Sequence, residues 1–176
     1  VTQKENHSKT VVDYITGAKI PDIGAEANRQ MVERFLVEEK GFSKQDIKVN
    51  WPIELDIEEN TYHSRVDLMV CIGTNLLMAI KCAAGSLGSR EREILAAARV
   101  TSEYQIPFAV VSDGKTAVVL DTLTGEKLGE GMQQIPSRQK LVVYSKNTRF
   151  LQFPKERIRR EKLIFRSYDS MNVNRS

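Results

Sequence analysis

Asp67 and Lys81 are ionisable residues set inside apolar runs, Arg65-Val-Asp-Leu-Met-Val-Cys-Ile and Leu76-Leu-Met-Ala-Ile-Lys-Cys. A charged group in such a run destabilises a fold unless it is paired or faces a cleft. Metal-dependent phosphodiester cleavage needs acidic ligands around a divalent cation, and a further cation near the attacking water. Two neighbouring antiparallel strands supply these groups economically. One carries an aspartate; the next carries a glutamate and a lysine two residues apart, which share a side because strand side chains alternate. Here the residue two before Lys81 is Ala79. Two readings of the spacing stand: a hydrolytic site short of one carboxylate, or a structural Asp67–Lys81 ion pair at a strand end.

Little else in the chain offers competing chemistry. His7 and His63 are the only histidines, which excludes histidine-rich metal sites and triads. Cys71 and Cys82 lie in apolar runs and read as buried free thiols. No G-x-x-x-x-G-K-[ST] loop is present, so no ATP site is expected. With 176 residues, 41% hydrophobic and 28% charged, the composition is that of one globular domain with a real core. No apolar run is long enough to span a bilayer, and the polar N-terminal residues lack a signal-type apolar segment. A cytoplasmic location with no membrane role is the corresponding expectation. The net charge of +3 is unevenly placed: residues 154–176 hold seven basic and three acidic residues, leaving nineteen against twenty elsewhere. That basic segment reads either as a nucleic-acid contact or as a solvated helix face.

The elements that must position Asp67 and Lys81 follow from periodicity. Residues 1–22 read as an N-terminal arm with one short ordered stretch around Val11, Val12, Tyr14 and Ile15. Ala25–Lys40 reads as a helix with Met31, Val32, Phe35 and Leu36 inward, closed by Gly41. Asp46–Ile57 alternates as a strand, with Pro52 marking an edge or a bulge. Glu58-Glu59-Asn60 is a turn, and Arg65–Gly73 and Leu76–Ala83 form the next two strands of a meander. Ser89 is the expected N-cap of a helix over Arg90–Tyr104, with Glu91 and Glu93 favouring its start. Phe108–Ser112 and Thr116–Asp121 are further strands. Residues 130–153 read as loop and strand fragments, and Pro154 opens a basic C-terminal helix. Together these predict an α/β fold, a mixed central sheet with helices on both faces. Its divisions are an arm at 1–22, a core at 23–153 and a basic helix or tail at 154–176.

The pattern Val66-Asp67 followed by Ala79-Ile80-Lys81 resembles the PD-(D/E)xK nuclease signature. The longer context, Ala25-Glu26-Ala-Asn-Arg29-Gln30 with Gly41-Phe42, Arg65-Val-Asp67, and Lys81-Cys-Ala-Ala-Gly85-Ser86, resembles the N-terminal nuclease domain of type I restriction enzyme R subunits over about residues 22–125. The resemblance implies a restriction-endonuclease-like fold and Mg²⁺- or Mn²⁺-dependent hydrolysis of DNA phosphodiesters, in a homodimer or a larger restriction-type assembly. It makes Asp67 a metal ligand and Lys81 the residue that positions or polarises water, and turns the Ile80 main-chain carbonyl toward the metal. Ala79 stands where the family has Glu or Asp. The alternatives are a catalytically degenerate nucleic-acid-binding module, or a protein-interaction domain.

Around that core, Glu26 and Gln30 share a helix face. Glu26 is a candidate metal ligand or an acid favouring the helix N-terminus, and Gln30 a candidate DNA contact. Arg92 and Arg99 share a face and either meet phosphate or pair with Glu91 or Glu103. Tyr62, His63, Ser64 and Arg65 form a polar rim, with Arg65 a candidate DNA contact. Glu54 is either inward or solvated.

Overall fold

Val32 and Leu36, four apart, are both fully buried and define the inward stripe of the first helix, α1 (Glu26–Glu38). Past its end the chain turns at Gly41, whose φ of 76° is where glycine is at home, and the Phe42 amide donates back to the Leu36 carbonyl at 3.1 Å. The computed structural model describes residues 9–173, with side chains to Met171. The start of the expected arm (1–8) and Arg175 lie outside the described residues. Ahead of α1, β1 (Thr10–Val12) and β2 (Lys19–Pro21) pair as a small antiparallel hairpin.

The main sheet has six strands: β3 (Ile47–Ile57), β4 (Asn60–Ile72), β5 (Asn75–Cys82), β6 (Phe108–Ser112), β7 (Ala117–Asp121) and β8 (Lys127–Glu130). They lie in sequence order, antiparallel except for the β5–β6 pair. A parallel pair needs a crossover, and α2 (Gly88–Val100) supplies it. Pro52 sits in β3, an edge strand, where its missing amide is tolerated. The sheet separates two buried layers. Val32, Leu36, Leu68, Val70, Ile80 and Val110 pack with Leu141 of α3 (Arg138–Asn147) on one side. Met69, Ala79, Ala109 and the alanines of α2 pack with Phe165 of α4 (Lys155–Val173) on the other. Helices therefore cover both faces, and the fold is a restriction-endonuclease-like mixed α/β arrangement.

Three local expectations are corrected. Residues 130–153 contain α3, capped by Ser137, whose Oγ accepts the Lys140 amide at 3.2 Å. Only Leu141 of that helix is buried, so its apolar period is too weak to read from sequence. Ser89 does not cap α2. The helix already runs from Gly88, and the Ser89 hydroxyl donates to the Ser86 carbonyl at 3.0 Å. The same helix ends at Val100 rather than Tyr104, because the Ile106 amide folds back onto the Ala98 carbonyl at 2.8 Å ahead of Pro107. Both cysteines are free and buried. Among the described residues no helix is long and apolar enough to cross a membrane.

Within α4, Glu161, Phe165 and Asp169 recur every four residues and form its buried stripe. Two carboxylates on the inward face of a helix require partners. Glu161 accepts Arg92 at 2.5 and 2.9 Å and Arg99 at 3.0 Å, while Asp169 accepts the Tyr62 hydroxyl at 2.6 Å and the Ser64 hydroxyl at 2.7 Å. These contacts fasten α4 across α2 and β4.

Candidate functional site

Leu68 on β4 is paired with Ile80 on β5, so one step along the antiparallel ladder sets Asp67 opposite Lys81. The Lys81 amine lies 3.8 Å from Asp67 Oδ2 and 3.1 Å from Glu93 Oε1. Asp67 is oriented from below, its Oδ2 accepting the Cys82 amide at 2.7 Å. Glu93 reaches in from the sheet-facing side of α2. Its side chain is 2% exposed, and its second oxygen lies 3.4 Å from Arg90. Lys81 and Asp67 keep 17% and 19% exposure, so solvent reaches the pair from one side.

A break in strand alternation aims Asp67. Val66 packs in the α2 layer and Leu68 in the α1 layer, although both should share a face. The facing strand switches at the same level: Val49 packs in the α1 layer, Ile53 in the α2 layer, and Asn50 between them has φ 54°. Val49 pairs with Leu68 and Trp51 with Val66, which leaves Asn50 level with Asp67.

The charges are set by burial and by one another. Burial would push the Lys81 amine down, but Asp67 and Glu93 more than offset it, so the group stays above its ordinary value and is an ammonium at neutral pH. For Asp67 burial wins. Its carboxyl is raised above the usual range in spite of Lys81 and the Cys82 amide. Desolvation, rather than a lack of nearby cations, sets that direction.

The structure distributes the other candidates unevenly. Ala79 is fully buried between Met69 and Ala109, under α2, with no route to solvent. Ile80 is fully buried in the opposite layer. Arg65 is exposed on β4 and helps stabilise the ionised form of Asp67, so it borders the site. Tyr62 and Ser64 turn inward to Asp169, while His63 turns outward to Glu54 at 3.5 Å, which leaves Glu54 on a solvated face. Arg92 and Arg99 are engaged by Glu161, not by Glu91 or Glu103, and Arg99 is only 8% exposed, out of reach of a phosphate. Glu26 and Gln30 belong to a different cluster. Glu26 accepts Arg29 at 2.6 Å and Gln30 at 2.9 Å, and the Gln30 side-chain oxygen takes the Tyr14 amide at 2.8 Å.

Sequence reasoning missed Glu93 as a site residue, having used it only as a helix-start acid. A signal was present: Glu93, Ala97 and Val100 lie on one stripe, so an acid continues the apolar face of a helix.

The Arg29 cluster makes its own prediction. Arg29 also binds Asp13, at 2.7 Å, and Glu33, whose side chain is fully buried. Burial is the main reason that the Glu33 carboxyl rises to about 7 from 4.5, outweighing Arg29. A raised carboxyl binds its proton more tightly in the folded state. Its contribution to stability is full below about pH 4.5 and is lost as pH rises through about 7, by up to about 3 kcal/mol. Glu33→Gln removes this loss. Urea unfolding at pH 5 and pH 8 is expected to show a smaller drop for the variant than for the wild type; equal drops would contradict the assignment.

A six-stranded mixed sheet clad by helices on both faces, with an aspartate and a lysine opposed on neighbouring strands, defines the restriction-endonuclease-like class of domain. The family model for the type I restriction enzyme R protein N terminus (HSDR_N) matches residues 24–136, and the chain belongs to that family. It is thus a nuclease-like domain of restriction-modification type. No curated protein and no solved structure matches it.

Proposed function

We propose that this domain hydrolyses DNA phosphodiesters with a divalent cation, and that Glu93 supplies from α2 the carboxylate absent at Ala79. The observation that carries the reading is the convergence of Asp67 and Glu93 on one Lys81 amine, at 3.8 and 3.1 Å, in a partly open pocket. Mg²⁺ is commonly held by one or two carboxylates together with substrate phosphates. Asp67 and Glu93, two carboxylates that meet at one amine with Asp67 still partly open to solvent, are the donor type that chemistry uses. Asp67 and Glu93 would hold the ion, which when bound lowers the pKa of a coordinated water and offsets phosphate charge. Lys81, kept protonated by its two neighbours, is a fixed cation rather than a general base. It holds the attacking water or the phosphate and stabilises the charge that develops there. The Cys82 amide fixes the Asp67 carboxylate, and exposed Arg65 offers a contact for the adjacent phosphate.

A second reading, a DNA-binding module that no longer cleaves, is favoured by one fact. Among the described residues no three His, Cys, Asp or Glu side chains gather as a metal-binding group. Plasmid nicking in Mg²⁺ and Mn²⁺ separates the two readings. Lys81→Met and Glu93→Gln are each expected to lower the nicking rate about 100-fold or more. Mn²⁺ binding by calorimetry is expected to weaken in Asp67→Asn and Glu93→Gln but to survive in Lys81→Met. Wild-type protein that binds DNA yet nicks with neither metal would establish the second reading.

A further inference from the structure

The sequence gives α4 six basic and three acidic residues between Lys155 and Met171, a modest excess. Folding sharpens it. Glu161 and Asp169 point inward and are consumed by Arg92, Arg99, Tyr62 and Ser64, which leaves Glu156 as the one acid of that stretch on the outer face. Lys155, Arg157, Arg159 and Arg160, in the first two turns, are all exposed.

Helix stability does not account for this placement. The positive end of the helix macrodipole disfavours cations in the first turns and favours them in the last. In α4 the cations crowd the start, and the last turn has none. Packing does not require them either, since none is buried. Arg159 pairs with Glu58 at 2.8 Å, but both side chains are more than half exposed, and such a pair contributes little and is readily exchanged. Arg157 is held over the Phe153 ring at 5.3 Å, which fixes its guanidinium at the surface. The exposed side of these turns carries no large apolar residue, unlike a helix that lies in a membrane surface.

We propose that the outer face of the first two turns of α4, formed by Lys155, Arg157, Arg159 and Arg160, is a docking surface for the phosphate backbone of duplex DNA. The inward carboxylates act as the latch that holds this face in place. Binding is sequence-independent, because side chains that contact phosphates carry no base information. α4 lies beyond residue 136, where the family match ends, so this surface adds to the family's domain rather than restating it. The inference rests on the reading that the partner is DNA, but not on cleavage.

The test is fluorescence anisotropy with a labelled duplex across about 50–200 mM KCl. Each phosphate contact contributes close to one unit of slope in log K against log salt. Replacing Lys155, Arg157, Arg159 and Arg160 with serine is expected to weaken binding at least tenfold at the low-salt end and to reduce the slope by about 3–4. Glu156→Lys, a gain-of-charge control independent of any folding defect, is expected to tighten binding and steepen the slope. An unchanged slope in both variants overturns the proposal. So does binding of the wild type to phosphatidylserine vesicles but not to duplex. Nicking is read separately. Wild-type protein that binds through α4 without nicking refutes the catalytic reading alone, whereas nicking and binding untouched by the four serines refute this one alone.

Discussion

Ala79→Glu, the substitution that would supply the carboxylate the nuclease resemblance implies, is expected to lower the melting temperature by about 6–20 °C instead of creating a working site. Ala79 has no exposure and lies between Met69 and Ala109, which also have none, beneath the alanines at positions 96–98 of α2. Small side chains on both surfaces let the helix seat closely on the sheet. A glutamate there overfills the layer, at about 1–3 kcal/mol, and buries a carboxylate as well, for a total of about 3–5 kcal/mol. Ala79→Gln separates the contributions, since it has the same bulk without the charge. Calorimetry or thermal circular dichroism reads the effect. A stable Ala79→Glu protein with raised nicking would mean that the layer opens to admit the side chain, and would remove the need for Glu93.

The second large effect is expected at Glu161 of α4, which is bonded to Arg92 and Arg99. Glu161→Ala removes a carboxylate 3% exposed and leaves Arg99, 8% exposed, with the Thr122 carbonyl at 2.9 Å as its remaining hydrogen-bond acceptor among the described residues. Breaking a buried ion pair from one side costs about 3–5 kcal/mol, because the surviving charge is stranded. Arg92, a third exposed, can return to water; Arg99 cannot. Urea denaturation should show the loss, and replacing both members, Glu161→Leu with Arg99→Met, should recover at least half of it. The pH dependence fixes the sign. Burial raises the Glu161 carboxyl, but the two arginines more than offset this and hold it below its ordinary 4.5. Its contribution is present above about pH 4.5 and is lost as pH falls through the lower folded value, so wild type and Glu161→Ala converge in acid. A constant difference down to pH 3 would contradict the pairing.

The periodicities that produced β3 to β7 and the two long central elements, α1 and α2, were legible because each has a deep apolar face. Phe108–Ser112 is buried at every position and its bounds agree with expectation. α3 was not legible, because one buried leucine makes no period. Asp67 and Lys81 stood out for the opposite reason: they interrupt apolar strands. Glu93 escaped notice because its signal, an acid on an apolar helix stripe, has meaning only once that stripe is known to face Lys81. Arg92 and Arg99 were read together correctly as sharing a face, but the partner that claims them lies 69 and 62 residues away, a distance no local pattern spans.

By itself, then, the sequence determined the α/β class, the meander that opposes Asp67 to Lys81, the alanine two residues before that lysine and the basic excess of the C-terminal segment. Each is a local property of spacing or composition. Tertiary structure alone decided that Ala79 is sealed in the core, that Glu93 of α2 meets Lys81, and that α4 hides its acids and shows its bases. Those outcomes depend on which faces of distant elements are pressed together. Burial is what makes an isolated charge seek a partner, and the partner is whichever opposite charge the packing brings within reach.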